Sequence, residues 1–494
     1  MPAWAPTSTL LAISGSAGRR PRRPAASRAT KATWAEDDTG RVSAGPCNRP
    51  ASWAASSARR RLSWSGIGRE ATTCSVGRGR TWARRRSAAG RSGPRPRASR
   101  PVPARCMRAH VRRRTTTPYA WTMSVPLFDT ATALEPLRPQ LHDALLRVAN
   151  DGRFILGPEV EAFEREFADW IGTRHAVGVA NGTDAIVIAL RALGVGPGDE
   201  VVVPSFTFWA SAEAIPPTGA TPVFCDVDPD TMCVTAETVA AAVTPRTKAI
   251  VAVHLFGNVA PIAEIRARTG LPVVEDAAQA AGSTTIRAES GALARPGALG
   301  DLATFSFYPS KNLGCFGDGG AVTTADANLA ERVRTLRFHG SADKVDYVDI
   351  GYNSRLDELQ AAVLRVLLPH LPAWATHRAR THERYRNAGL GELVTLPVPA
   401  PGSTAAWHLY VVRSDRADEL AAGLRVRGIG ARPYYRTPVH RQPPMARYLP
   451  DGGVSLPVTE ELARTHLALP VSATITDQQV GAVVDGVAAV LAGR

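Results

Sequence analysis

An α/β fold, with a large domain on a mostly parallel sheet and a small C-terminal α+β domain, is what this sequence predicts. Three observations carry that reading. Short β-rich runs alternate with helix-like runs from about residue 170 to about 330, and strands that alternate with helices pair in parallel because each helix returns the chain across the sheet. Past residue 370 the character changes to a charged helix-like linker and a short strand–helix sequence. The composition fits too: 494 residues, 44% apolar and 21% charged, suit two or three globular domains and exclude a wholly disordered or fibrous chain.

His175–Ala180 reads as a strand. Asn181-Gly182-Thr183-Asp184 then supplies helix-start residues ahead of the apolar segment Ala185–Leu193, which reads as a buried helix. Beyond the Gly196-Pro197-Gly198-Asp199 turn come a strand, Glu200–Pro204, and a second helix-like run from Trp209. Pro222–Asp226, Ala249–His254, Pro272–Glu275 and Asp301–Phe307 read as further strands. Leu371–Asn387 is expected as a charged helix, Trp407–Val412 as a strand, and Arg416–Arg427 and Thr476–Leu491 as helices. No repeat is visible, and no run reaches the roughly 18 uninterrupted apolar residues of a membrane span, so no membrane partner is expected.

The formal net charge of +15 is unevenly spread. Residues 1–122 hold 25 Arg and one Lys against Glu36, Asp37, Asp38 and Glu70, a net of +22, while the remainder holds 33 basic and 40 acidic groups, a net of −7. The leader is rich in Arg, Ala, Ser, Pro and Gly and poor in Leu, Ile, Val and Phe, so it cannot offset its chain entropy by burial and is expected to be disordered. It also carries six of the ten Trp, a mixture that GC-rich codons give when read without selection for a fold. We therefore expect an over-extended gene start, with synthesis beginning at Met123. An Arg- and Ser-rich, acid-poor leader also resembles an organellar transit peptide. A basic arm could bind nucleic acid, but no aromatic–basic platform or DNA-binding motif accompanies it, and nucleic acid is not an expected partner. The expected divisions are then 1–122 for the leader, 123–370 for an N-terminal arm and the large domain, and 371–494 for the small domain. Cys225, Cys233 and Cys315 show no metal-binding spacing, so neither a metal nor a disulfide scaffold is expected, and a reducing cytoplasmic setting is.

Ligands of a parallel sheet gather at the carboxyl ends of its strands, and five features fall there. Gly182 and Thr183 open a helix, where free N–H groups, a close-approach glycine and a hydroxyl suit a phosphate; a capped buried helix looks the same. Phe208 follows a strand and could stack on a planar ring or simply fill core. Asp276 ends Leu-Pro-Val-Val-Glu-Asp, as a turn cap or as the partner of a buried cation. Lys311 stands among aromatic residues and glycines; a lysine is ordinarily a solvated charge, but desolvated at a strand end it becomes a nucleophile or base. Ser306 adds a hydroxyl. Together these supply what pyridoxal 5'-phosphate needs: a phosphate cradle, a stacking ring, an acid that keeps the pyridine nitrogen protonated, and an amine that holds the cofactor and moves a proton.

Asn-Gly-Thr-Asp-Ala (181–185), Gly-Pro-Gly-Asp-Glu-Val-Val-Val-Pro-Ser-Phe-Thr-Phe (196–208), Val-Glu-Asp-Ala-Ala-Gln-Ala (274–280), Phe-Ser-Phe-Tyr-Pro-Ser-Lys-Asn-Leu-Gly (305–314) and Gly-Tyr-Asn-Ser-Arg-Leu-Asp-Glu-Leu-Gln-Ala-Ala (351–362) resemble the DegT/DnrJ/EryC1/StrS family. Its members are pyridoxal-phosphate-dependent nucleotide-sugar aminotransferases of the aspartate-aminotransferase fold, type I. The likeness spans most of residues 123–494 and none of 1–122. It implies that Lys311 is the Schiff-base lysine, that Asp276 pairs with the pyridine nitrogen, that Gln279 lies near the ring hydroxyl and that Phe208 stacks on the ring. Gly182, Thr183 and Ser306 would bind the cofactor phosphate. Asn353 would reach that phosphate from a neighbouring subunit, which implies a homodimer with shared active sites. Two departures stand out: the family usually has Ser where Asn181 stands, and the stretch Thr284–Pro296 is longer than usual.

The segment Arg432-Pro433-Tyr434-Tyr435-Arg436-Thr437-Pro438-Val439-His440 resembles one that faces the sugar nucleotide, which makes Tyr434, Arg436 and His440 substrate candidates, with Tyr308 beside them. Arginine near a diphosphate is sensible chemistry; a solvated loop held by two prolines is the plain alternative. His254 and His339 read as structural. The implied function is transfer of an amino group from an amino acid, L-glutamate, to a keto group of a nucleotide-activated deoxysugar. A free cyclic ketone, of keto-inositol or aminobenzoate-precursor type, is the alternative acceptor. Dehydratases of this kind carry His at the lysine position, and here it is Lys. A non-catalytic regulator has no evident need for Lys311 and Asp276 together.

Overall fold

The computed structural model describes residues 124–493 apart from Ala288, so the leader and Met123 lie outside the described residues. Its central sheet takes β1 His175–Val179, β2 Glu200–Pro204, β3 Thr221–Cys225, β4 Thr247–Val253 and β5 Val273–Asp276 in turn. After the short strands β6 Thr284–Ile286 and β7 Leu293–Ala294 come β8 Leu302–Ser306 and β9 Gly320–Thr324. The seven long strands run in the order β1-β9-β8-β5-β4-β2-β3. β2 pairs in parallel with β3 and β4, β4 with β5, and β5 with β8. β9 alone is reversed, antiparallel to both β8 and β1.

Every residue of β2 is buried, the mark of a strand covered on both faces. Ile186, Ile188 and Leu190 of the helix Gly182–Ala192 share one apolar cluster with Val202 and Val251. Phe163 and Phe167 of the helix Pro158–Ile171 form a second with Phe305 and Phe307, and Phe167 meets Phe305 edge-on at 5.0 Å between centroids. The helical run expected from Trp209 is a single turn, Ala210–Glu213, followed by a 3-10 turn, Pro216–Thr218. Pro216 and Pro217 lack the N–H groups needed to continue it and disfavour helix in the residue before them.

The helix Leu371–Asn387 leads to β10 Ser403–Thr404, β11 Tyr410–Arg413 and β12 His466–Leu469. β11 and β12 pair antiparallel and, with the helices Ala417–Val426 and Asp477–Leu491, enclose a third cluster around Tyr385, Tyr410, Leu420 and Val487. The strand expected from Trp407 begins at Tyr410, because Trp407 takes a φ of +28° and turns the chain. The long stretch after Ser283 forms the β6–β7 hairpin, and β10 pairs along its edge.

One buried carboxylate fixes the end of β5. Glu275 accepts hydrogen bonds from the N–H groups of Gly297, Leu299 and Gly300 at 2.9, 2.8 and 2.7 Å, and from His254 Nε2 at 2.8 Å. His254 Nδ1 in turn accepts from the N–H of Ala260 at 3.0 Å, which assigns the proton to Nε2 and gives this histidine a structural post. Asp276, the next residue, is thereby held at the strand end. Among the described residues, no helix is long and apolar enough to cross a membrane, and no group of three His, Cys, Asp or Glu could hold a metal ion.

Candidate active site

Residues at or just past the carboxyl ends of β2, β4, β5 and β8 line a cavity of about 760 Å³. At one wall the helix Gly182–Ala192 begins. Asn181 caps it, its side chain accepting from the N–H of Asp184 at 2.8 Å, as the Ser usual in the family would. The N–H groups of Gly182 and Thr183 are among the donors that no helix can pair internally. Gly182 has a steric reason to be glycine: a Cβ there would lie 2.8 Å from Ser306 Cβ and 3.3 Å from Ser306 Cα. The helix start and the end of β8 are thus in contact, and the hydroxyls of Thr183 and Ser306 border one space.

Asp276 is buried, and both carboxylate oxygens are engaged: Oδ2 accepts from Ser211 Oγ at 2.7 Å and Oδ1 from the N–H of Ala278 at 3.2 Å. Ser211 is backed by Thr207 Oγ1 at 2.9 Å. Lys311 lies on the loop after β8, its N–H bonded to the Tyr308 carbonyl at 2.8 Å. Burial lowers its ammonium pKa from 10.5 to about 8, opposed by the charge of Asp276. A lysine so placed is part neutral near physiological pH, and only the neutral amine attacks a carbonyl. Gln279 Oε1 accepts from the N–H of Phe256 at 2.6 Å, and its Nε2 donates to Tyr435 Oη at 3.0 Å. Phe208 is half exposed, its ring 5.8 Å from that of Tyr435.

The cavity therefore gathers Gly182, Thr183 and Ser306 at one end, and Asp276, Gln279 and Lys311 deeper in, with Phe208, Tyr308 and Tyr434 also on its lining. Three expected residues stand outside it. Arg436 donates to the carbonyls of Ala463 and Arg464 at 2.8 and 2.7 Å and pairs with Asp418. His440 is buried, its Nδ1 2.6 Å from Ser205 Oγ and its Nε2 3.5 Å from Glu460. Asn353 is exposed and forms an isolated bridge with Phe338. Sequence reasoning missed Ser211 and His408, which the cavity also presents, and took in Tyr435 only as part of the segment 432–440. Ser211 had a legible signal, lying shortly after the end of β2; the other two come from the C-terminal part of the chain and reach the site only through folding.

The residues fit a pyridoxal phosphate: a helix start shaped by a missing Cβ, flanking hydroxyls, a buried acid at a strand end, and a lysine whose amine is easily freed. A cofactor-dependent transferase of the aminotransferase type is the class that this fold and cavity define. The chain belongs to the DegT/DnrJ/EryC1/StrS aminotransferase family, whose model matches residues 137–488. Over 373 residues it is 48% identical to the dTDP-3-amino-3,4,6-trideoxy-alpha-D-glucose transaminase of Streptomyces venezuelae, covering 74% of this chain and 96% of that one. It is 42% identical to the UDP-N-acetyl-3-dehydro-alpha-D-glucosamine 3-aminotransferase of Acidithiobacillus ferrooxidans, covering 72% of this chain and 95% of the relative. The crystal structure of S. venezuelae DesV in complex with a ketimine intermediate superposes with a TM-score of 0.70 at 47% identity, over 74% of this chain and 98% of that one.

Proposed function

We propose that the protein is a pyridoxal-phosphate-dependent transaminase that moves the amino group of L-glutamate to a keto group at C3 of a nucleotide-activated hexose. The carrying observation is the shared cavity of Lys311 and Asp276, with the helix start at Gly182 as anion site. Placement at C3 rests on the two relatives named above, both 3-amino-sugar enzymes by name.

When bound, the cofactor supplies an electron sink that stabilises negative charge on the carbon losing a proton. This chain's own groups do the rest. Gly182 and Thr183 N–H groups, with the Thr183 and Ser306 hydroxyls, hold the phosphate. Asp276, oriented by Ser211 and the Ala278 N–H, keeps a proton on the ring nitrogen. Lys311 would hold the cofactor through its amine, and that amine, with a pKa of about 8, would carry a proton as a base in neutral solution. Phe208, on the cavity lining, would cover one side of the ring.

The active unit is a homodimer. Val345, Tyr347, Val348 and Ile350 are 76%, 60%, 79% and 83% exposed on the segment just before Asn353. Such an apolar strip on one chain favours burial against another, and it would bring Asn353 to the partner's phosphate site. The test is the visible absorption of purified holoenzyme. Glutamate should bleach the cofactor band, a 3-keto nucleotide sugar should restore it, and Lys311→Ala should not show it. A folded protein with no band after addition of pyridoxal phosphate would refute the reading.

A further inference from the structure

His408 lines the cavity beside Lys311, yet neither ring nitrogen is hydrogen-bonded to a described residue, and Nδ1 is enclosed without a partner. The residue is 5% exposed. An imidazole so buried ordinarily pairs at least one nitrogen, as His254 does in this same chain. Its place is also tightly built. The His408 N–H donates to the Phe256 carbonyl at 2.8 Å, and a Cβ on Gly257 would lie 2.8 and 2.9 Å from the backbone nitrogens of Trp407 and His408. Phe256 and Trp407 hold φ values of +57° and +28°, conformations costly to residues with side chains and concentrated where function requires them.

A second observation concerns charge. Arg378 is 6% exposed, and its Nη1 donates to the carbonyls of Trp407 and Val471 at 3.1 and 3.4 Å. Among the described residues no carboxylate forms an ion pair with it. A buried guanidinium without an acid is costly unless another anion compensates it. Burial and the charges of Lys311 and Arg378 hold the His408 imidazole neutral, its pKa well below the usual range. With Nδ1 enclosed, Nε2 is the nitrogen left to meet a ligand, and the neutral tautomer that carries its proton there can donate into the cavity. This wall of the cavity therefore offers a neutral N–H donor in the field of the Arg378 guanidinium.

We propose that His408, with Lys311 and Arg378 behind it, forms the subsite that receives the α-carboxylate of the amino-acid donor. The inference rests on the transaminase reading and adds the residue that recognises the donor. A donor whose amine displaces Lys311 carries its carboxylate on the adjacent carbon, so the carboxylate must settle beside the lysine, where His408 stands. Its oxygen accepts from Nε2–H, and the Arg378 guanidinium supplies the field. The hexose ring has no such anion, so the acceptor half of the reaction does not use this contact.

The test is titration of the holoenzyme, its cofactor converted to the amino form, with 2-oxoglutarate, the keto acid that glutamate leaves behind, and separately with dTDP-glucose as nucleotide-sugar probe. His408→Leu is expected to weaken 2-oxoglutarate binding about 10- to 100-fold, the range for a lost hydrogen bond to a charged group, and to raise the KM for glutamate in step. Binding of dTDP-glucose should stay within about twofold, because no contact with it is removed. His408→Gln, whose amide N–H reaches about as far as Nε2, should recover most of the loss. Where the Leu variant does not fold, His408→Asn, polar but too short, should show the same selective loss. Weakened dTDP-glucose binding with 2-oxoglutarate unaffected would overturn the proposal. So would no change in either ligand, or equal loss of both without rescue by Gln. A wild-type enzyme unresponsive to glutamate would instead refute the transaminase reading, before any variant is made.

Discussion

Gly182→Ala tests the contact on which the proposed phosphate site is built. Gly182 does not have a positive φ, so alanine meets no backbone objection, and as a helix former it should gain up to about 1 kcal/mol over glycine. Against this stands the wall: the new methyl would lie 2.8 Å from Ser306 Cβ, 3.3 Å from its Cα and 3.4 Å from its Oγ. Two of those atoms belong to the end of β8 or are bonded to it, so no rotation of a flexible side chain relieves the clash. Overpacking of this kind costs about 1–3 kcal/mol, so the steric term should win by roughly 1–2 kcal/mol. The helix start would be pushed off β8, and losing one charge-assisted hydrogen bond to the phosphate would weaken pyridoxal phosphate about tenfold or more. Urea denaturation of the apo-protein and fluorescence titration with the cofactor measure the two effects. The double variant Gly182→Ala/Ser306→Gly restores space, so the pair should couple by about 1 kcal/mol or more in stability. An alanine variant as stable as the wild type with unchanged cofactor affinity, or a strictly additive double variant, would refute the steric account.

Lys311 makes a pH-dependent prediction: reaction of the apo-protein with an amine-directed reagent should rise through pH about 8 at this residue rather than near 10.5. Between those values the unfolded chain keeps a proton that the folded chain has released, so stability should increase with pH there, and Lys311→Met should remove that part of the slope in denaturant titrations. Glu275→Gln replaces an acceptor of four hydrogen bonds by a group that must point a donor at other donors. It should cost about 3–5 kcal/mol in urea denaturation, and an unchanged midpoint would show that the carboxylate does not hold the end of β5. Ile350→Asp puts a charge in the exposed apolar strip. It should convert a dimer to monomer by light scattering with the circular dichroism retained, and a persisting dimer would exclude this strip as the interface.

The sheet was legible where burial writes itself into composition. β2 and β4 are covered on both faces along Val201–Val203 and Ala249–Val253 and so show short apolar runs there. β9 escaped because five residues of small and β-branched type after a glycine-rich turn carry no periodicity, and its reversal is decided by pairing with β1 and β8. The run from Trp209 failed as a long helix for a reason already printed in the sequence, its two prolines.

The site divides along a different line. Lys311 and Asp276 could be singled out because strand ends are where such chemistry collects: Asp276 ends β5, and Lys311 lies on the loop that follows β8. His408 could not, since Trp-His-Leu-Tyr reads as strand. It becomes a cavity residue because Trp407 takes a positive φ and Gly257 leaves room for its backbone, features supplied by a distant loop. Arg436 and His440 show the converse. Their residue types suit a diphosphate, but Asp418, Ser205 and neighbouring carbonyls already engage them in this chain. A titratable residue in a suggestive motif is therefore a weaker pointer than a buried polar atom left without a partner. The Nδ1 of His408 shares that state with His440 Nε2 and with four other side chains among the described residues, but of the six His408 alone lines the cavity, and it is the two properties together that say what the site must still receive.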